Sequence, residues 1–158
     1  MKKGQAHCMD AAELAKSAQK GDLAFLDPPY SGVHYSRFYH VLESVAQGLV
    51  GPVEGVGRYP HRDQRPSSDF SMTSRSRTAF DQLLVILAER KASVIITFPA
   101  GKASNGLAGD DVKALAASHF SIEEEKVSSR FSTLGGDMKH RAARKDAFEL
   151  ILKLSNQS

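Results

Sequence analysis

The feature that most restricts this 158-residue chain is a short apolar run, Leu23-Ala24-Phe25-Leu26, that breaks off into Asp27-Pro28-Pro29-Tyr30. A continuous apolar run without alternation predicts a strand in a sheet covered on both faces. Each proline locks its own φ and pushes the residue before it away from helix, so Asp27 and Pro28 are expected to be extended. A rigid acid is thus placed at the carboxyl end of a strand, which is where open α/β sheets bind ligands. The competing reading of the same four residues is a plain turn with a capping acid, because Asp-Pro is a common turn dipeptide.

The rest of the pattern supports such a sheet. Ala11 to Gln19 reads as a short helix, with Asp10 as N-cap, Glu13 three residues on, and Gly21 as the stop. Phe38, Leu42 and Val45 recur at helical spacing between Ser36 and Gln47, and Gly48 ends that helix. Residues 51–75 show little periodicity and predict a long functional or mobile loop. Phe80, Leu83, Leu84 and Leu87 share one face of the next helix. Ser93 to Phe98 is a second apolar strand, stopped by Pro99, and Asp110 and Asp111 mark the start of a further helix. Glu125 to Ser132 and Ala147 to Leu154 alternate, and Leu134-Gly135-Gly136-Asp137 permits a turn between them. The sum is one α/β domain over 1–158, with a mostly parallel open sheet and an antiparallel C-terminal hairpin at its edge.

Composition excludes several classes. With 41% hydrophobic and 25% charged residues the chain is ordinary for a globular protein. No apolar run approaches the roughly 18 residues of a membrane span, and no signal peptide opens the chain. Cys8 stands alone, which excludes an internal disulfide and a multi-cysteine zinc site. The expected compartment is the cytoplasm, with Cys8 as a small core residue. The six histidines show no metal-ligand spacing, so no metal is expected. Charge is unevenly distributed within a net of +3: segments 58–77 and 137–145 each carry +3, and the remainder carries −3. Two basic segments on a slightly acidic body suit contacts with a polyanion, or else are two solvated loops.

A rigid acid beside a proline carbonyl suits one chemistry in particular. The exocyclic amine of adenine is a poor nucleophile, because its lone pair is delocalised into the ring. Two acceptors, the Asp27 carboxylate and the Pro28 carbonyl, can take both N–H groups and favour the pyramidal nitrogen that attacks a methyl donor. Tyr30 offers an aromatic face to a base swung out of its helix.

These residues carry a family resemblance. Leu23-Ala-Phe-Leu-Asp-Pro-Pro-Tyr30, followed by Tyr35-Ser-Arg-Phe-Tyr-His-Val-Leu-Glu43, resembles the adenine-N6 DNA methyltransferases related to Dam. The likeness continues through Ser74-Arg-Ser-Arg77, the strand ending Thr97-Phe98-Pro99, and His140-Arg-Ala-Ala-Arg144. It implies a Rossmann-like methyltransferase fold, S-adenosylmethionine as cofactor, DNA as substrate and base flipping. It also implies that Asp27, Pro28, Pro29 and Tyr30 form the catalytic tetrad. By the same likeness Asp10 and Asp27 contact the cofactor, although a helix N-cap explains Asp10 as well.

The family also carries a glycine-rich cofactor turn ahead of the tetrad. Here 26 residues precede Asp27, and their glycines, Gly4 and Gly21, do not sit between a strand and a helix. The chain therefore reads as the C-terminal, substrate-side half of such an enzyme. Its exposed sheet edge is expected to pair with a second copy or with another polypeptide that completes the cofactor site.

Nucleic-acid contacts are expected from two groups of residues. Tyr35, Arg37, Tyr39 and His40 follow the tetrad and suit the base pocket or nearby phosphates, whereas Phe38 suits the helix core. Arg58, Arg62, Arg65, Arg75 and Arg77 suit phosphates, as do Lys139 and Arg141 with their neighbours His140 and Arg144. Two readings compete with a DNA-adenine enzyme. One is an RNA base methyltransferase; the other is a catalytically silent nucleic-acid-binding remnant or partner subunit. A cytosine-amine enzyme is disfavoured, because by the family likeness serine is commoner than aspartate at the first tetrad position for cytosine.

Overall fold

Leu23–Leu26 forms β1 and Ser93–Pro99 forms β4, and the two pair in parallel, with Leu23 opposite Ser93 and Leu26 opposite Ile96. The computed structural model describes residues 3–32, 36–65, 67–130 and 146–157; at 36–38, 62, 129–130 and 146–147 it describes the backbone alone. A parallel pair needs a crossover, and the helix that returns the chain is α3, Ser76–Glu89. Its Phe80, Leu83, Leu84 and Leu87 are all buried, as their spacing predicts. Phe80 packs edge-on against Phe70 and Phe98, with ring centroids 5.2 and 5.8 Å apart.

After β4 the chain forms α4 (Gly109–Ala117), then β5 (Phe120–Arg130) and β6 (Asp146–Asn156). β5 and β6 make the expected hairpin, although β5 begins at Phe120, ahead of the alternating stretch. The strand order is β1-β4-β6-β5, so β1, β4 and β5 run one way and β6 runs against them. The β5–β6 hairpin forms one edge of the sheet, as expected, with the reversed strand β6 between β4 and β5. Leu150, Leu152 and Leu154 of β6 need burial, whereas the charged run Glu123 to Lys126 of β5 tolerates the rim.

Register places the core on one face of the sheet. Val94 lies opposite Leu154, Ile96 opposite Leu152 and Phe98 opposite Leu150, and all six are buried. The other face carries Leu23 and Phe25, which are 63% and 64% exposed. The expectation of two covered faces is thus corrected: among the described residues, helices cover one. The continuous apolar run of β1 reflects its composition, and its burial alternates.

α4 approaches the sheet closely at Gly109, where a Cβ would meet Leu150 at 2.4 Å and the Pro99 carbonyl at 3.0 Å. Asp111 accepts the Ala108 N–H at 2.9 Å and pairs with Arg77 of α3, which ties the two helices together.

Two further departures concern local structure. α1 spans Ala11–Ala15 and stops four residues before Gln19. The N–H groups of Lys16, Ser17 and Ala18 bond three residues back rather than four, and Asp22 takes the Gln19 N–H. Cys8 is exposed, not core, because the segment ahead of α1 runs along the surface.

Within 51–75, β2 (Val53–Glu54) and β3 (Tyr59–Pro60) form a small hairpin that packs on α2 (Ser36–Gln47). Single 3-10 turns follow at Arg62–Gln64 and Asp69–Ser71, and the second buries Phe70 against α3. The residues of the expected C-terminal turn, Leu134 to Asp137, lie outside the described residues.

Candidate active site

The carboxyl ends of the parallel strands β1 and β4 bring Asp27 beside Thr97, one register step beyond the Leu26–Ile96 pair. The Thr97 hydroxyl donates to Asp27 Oδ1 at 3.2 Å, and the Asp27 side chain is otherwise exposed. Among the described residues nothing donates to the second carboxylate oxygen or to the Pro28 carbonyl. The carboxylate and the carbonyl of the next residue therefore both keep lone pairs not taken by donors among the described residues.

Tyr30 follows, half-buried, its ring edge-on to Phe98 with centroids 6.3 Å apart and planes at 77°. Burial pushes its phenol pKa above the ordinary 10.0, and the charges of Asp27 and Glu149 and the proximity of Tyr39 add to the shift. Glu149 comes from β6, opposite Pro99 at the end of β4. The site thus gathers residues from β1, β4, β6 and α2.

The loop after β4 closes over the tetrad from one side. The Asn105 amide donates to the Pro29 carbonyl at 3.3 Å and the Phe70 carbonyl at 3.0 Å, and its Oδ1 accepts the Leu107 N–H at 3.2 Å. The Asn105 main-chain N–H reaches the Tyr30 carbonyl at 3.4 Å, and Ser104 Oγ accepts the Gly32 N–H at 2.9 Å. Asn105 is wholly buried.

Sequence reasoning missed Thr97, Ser104, Asn105 and Glu149. Asn105-Gly106 carried a turn signal, and Gly106 does adopt a positive φ of 93°, but nothing in the spacing pointed it at the tetrad.

The remaining site expectations divide. Tyr39 lies on α2, close enough to Tyr30 to raise its pKa. His40 stacks edge-on to Tyr59 with centroids 5.4 Å apart, and its Nδ1 is buried without a partner among the described residues. His40 and Arg58 line a cavity of about 870 Å³ between α2 and the β2–β3 hairpin, and no tetrad residue lines it.

Three of the arginines are engaged with carboxylates. Arg65, 18% exposed at its side chain, bonds Glu54 and the Pro60 carbonyl and braces the hairpin. Arg75 pairs with Asp69 at 3.2 Å, and Arg77 with Asp111. Arg37, Phe38 and Arg62 are described by backbone alone. Tyr35, Lys139, His140, Arg141 and Arg144 lie outside the described residues.

Asp10 is the N-cap of α1, its Oδ1 accepting the N–H groups of Ala12 at 2.8 Å and Glu13 at 3.3 Å. β1 is followed by Asp27 and two prolines; after β4 a Cβ on Gly101 would meet nothing within 4 Å, whereas Gly106 is fixed by its positive φ and Gly109 by its approach to Leu150 and the Pro99 carbonyl. Among the described residues no group of three His, Cys, Asp or Glu side chains is placed to hold a metal, and no helix is long and apolar enough to cross a membrane.

No family model matches this chain, and no solved structure matches it. It is 36% identical over 63 residues to the protein named Modification methylase LlaI of Lactococcus lactis subsp. lactis. That match covers 40% of this chain and 10% of the methylase, so the likeness spans a small part of the relative's length.

Proposed function

We propose that this chain is the substrate-holding part of a DNA methyltransferase that acts on the exocyclic amine of adenine. The observation that carries this reading is the pair of acceptors at the end of β1. Asp27 is oriented by Thr97, and the Pro28 carbonyl beside it has no donor among the described residues. Together they accept the two N–H groups of a flipped adenine, turn the nitrogen lone pair outward, and receive the developing positive charge next to a carboxylate. Tyr30, half-buried beside Phe98, supplies the aromatic surface against which the base rests. The partial likeness to a modification methylase supports the reaction class.

S-adenosylmethionine is the proposed methyl donor, bound largely outside the described residues. The open face beside β1, with Leu23 and Phe25 exposed, suits a further polypeptide segment, on a second chain or on a longer one. The test is methyl incorporation from labelled S-adenosylmethionine into DNA and into RNA of matched sequence. Transfer to adenine in DNA, abolished by Asp27→Ala with DNA binding retained, is the expected result. Transfer to RNA alone reassigns the substrate, and full turnover by Asp27→Ala refutes the role of the carboxylate.

A second reading, a silent nucleic-acid-binding subunit, is favoured by the open space at Gly101 just after β4, where no close approach requires glycine. Calorimetry separates the two. DNA binding without any S-adenosylmethionine binding, with DNA present or absent, supports the silent subunit.

A further inference from the structure

The two prolines of the tetrad create a structural problem that the loop after β4 solves. Pro28 and Pro29 have no N–H, so the segment cannot anchor itself with its own main-chain donors. Its carbonyls are the groups left to hold it, and donors must come from elsewhere. Three carbonyls follow Asp27 in succession, and they are not treated alike. Those of Pro29 and Tyr30 are taken by the Asn105 side chain and main-chain N–H, and among the described residues that of Pro28 is left open.

We propose that Asn105, assisted by Ser104, is a positioning residue that holds Pro29 to Gly32 and so presents the Pro28 carbonyl and the Asp27 carboxylate to the substrate amine. The inference rests on reading Asp27–Tyr30 as the base-holding site. A carboxamide suits this position because it is planar, neutral, and carries two donors and an acceptor. Here both kinds of group are engaged, with Phe70 and Pro29 as acceptors and Leu107 as donor. The Ser76 hydroxyl at the start of α3 donates to the Asn105 carbonyl at 3.0 Å, so the clamp is itself fixed to the main helix. A buried polar network with every member satisfied is rigid. Ser104 adds a second fastening three residues beyond Pro29, on the Gly32 N–H.

The experiment compares Asn105→Ser and Ser104→Ala with the unaltered chain, using tyrosine labelled at the ring Cζ and NMR, with Tyr30→Phe to assign the resonance. Val112→Ala serves as a control that weakens the buried face of α4 away from the tetrad. When the clamp is released, water reaches Tyr30 and its phenol ionises at lower pH than in the unaltered chain. The control loses stability without that change. Methyl transfer, measured in parallel, falls by about 10- to 100-fold in kcat with KM for DNA little altered. Folded variants whose Tyr30 titration and kcat match the unaltered chain overturn the proposal. If Asn105→Ser does not fold, the exposed Ser104→Ala decides alone, by a smaller change in the same direction or by none. A shifted Tyr30 titration in a chain that neither binds nor methylates DNA or RNA upholds the clamp and overturns the base-holding reading.

Discussion

Tyr30 joins the stability of the fold to the chemistry of the site. Its phenol is raised above the ordinary 10.0, first by burial and then by neighbouring negative charge. The neutral form is therefore favoured in the folded chain. Its contribution to stability is complete below pH 10.0 and is lost as pH rises through the folded value. Denaturation midpoints are expected to fall across that alkaline window, and Tyr30→Phe is expected to flatten the fall. An unchanged slope in the variant counts against Tyr30 as its source.

Asp10 permits an equally direct separation of roles. Asn caps helices about as well as Asp, whereas Ala loses typically ~1 kcal/mol. If capping is the whole role, Asp10→Asn is neutral and Asp10→Ala lowers stability by that amount in urea titration. A loss of cofactor affinity in Asp10→Asn, at unchanged stability, assigns the charge a second role.

Legibility at this scale was uneven. Asp27 to Tyr30 is a contiguous string and could be read directly. Thr97 and Asn105 stand some 70 residues away in sequence, and only the parallel pairing of β1 with β4 brings them to it.

Among the elements, helices and long strands were read well where many residues repeat one pattern. α3 is the clearest case, since four apolar side chains at helical spacing all reach the core. Phe80→Ala is expected to cost about 3–5 kcal/mol, because Phe70 and Phe98 both lose a ring partner; calorimetric unfolding measures it. The β2–β3 hairpin could not be read, because strands of two residues leave no period. α1 was read too long, because its last residues keep helical composition while their bonds tighten to three-residue spacing.

The arginines of this region illustrate the difference between charge in a sequence and charge available to a ligand. Arg58 lines the cavity wall with no carboxylate partner among the described residues, whereas Arg65 is committed to Glu54. Substituting Arg58 by Ala is expected to weaken DNA binding and reduce its salt dependence by about one counterion. Arg65→Ala is expected first to loosen the hairpin, which hydrogen exchange at Val53 and Pro60's neighbour Tyr59 can register.

For the molecule as a whole, strand direction and the place of Asp27 to Tyr30 beyond the end of β1 were legible, and the uneven covering of the sheet was not. Composition tells which strands can bear burial on both faces, but not whether a cover is present. The exposure of Leu23 and Phe25 predicts self-association or capture of another segment. Changing both to Ser is expected to lower any concentration-dependent mass seen by sedimentation equilibrium, and a mass that stays monomeric at all concentrations in the unaltered chain removes that expectation.

The prolines of the tetrad also limit how such an association can grow. A strand added alongside β1 finds main-chain donors as far as Asp27 and then meets two residues, Pro28 and Pro29, with no donor at all. Pairing must stop there, however long the incoming strand. Under the proposed reading the two prolines thus act as a doorstop, keeping the mouth of the candidate site clear of any strand that joins this edge.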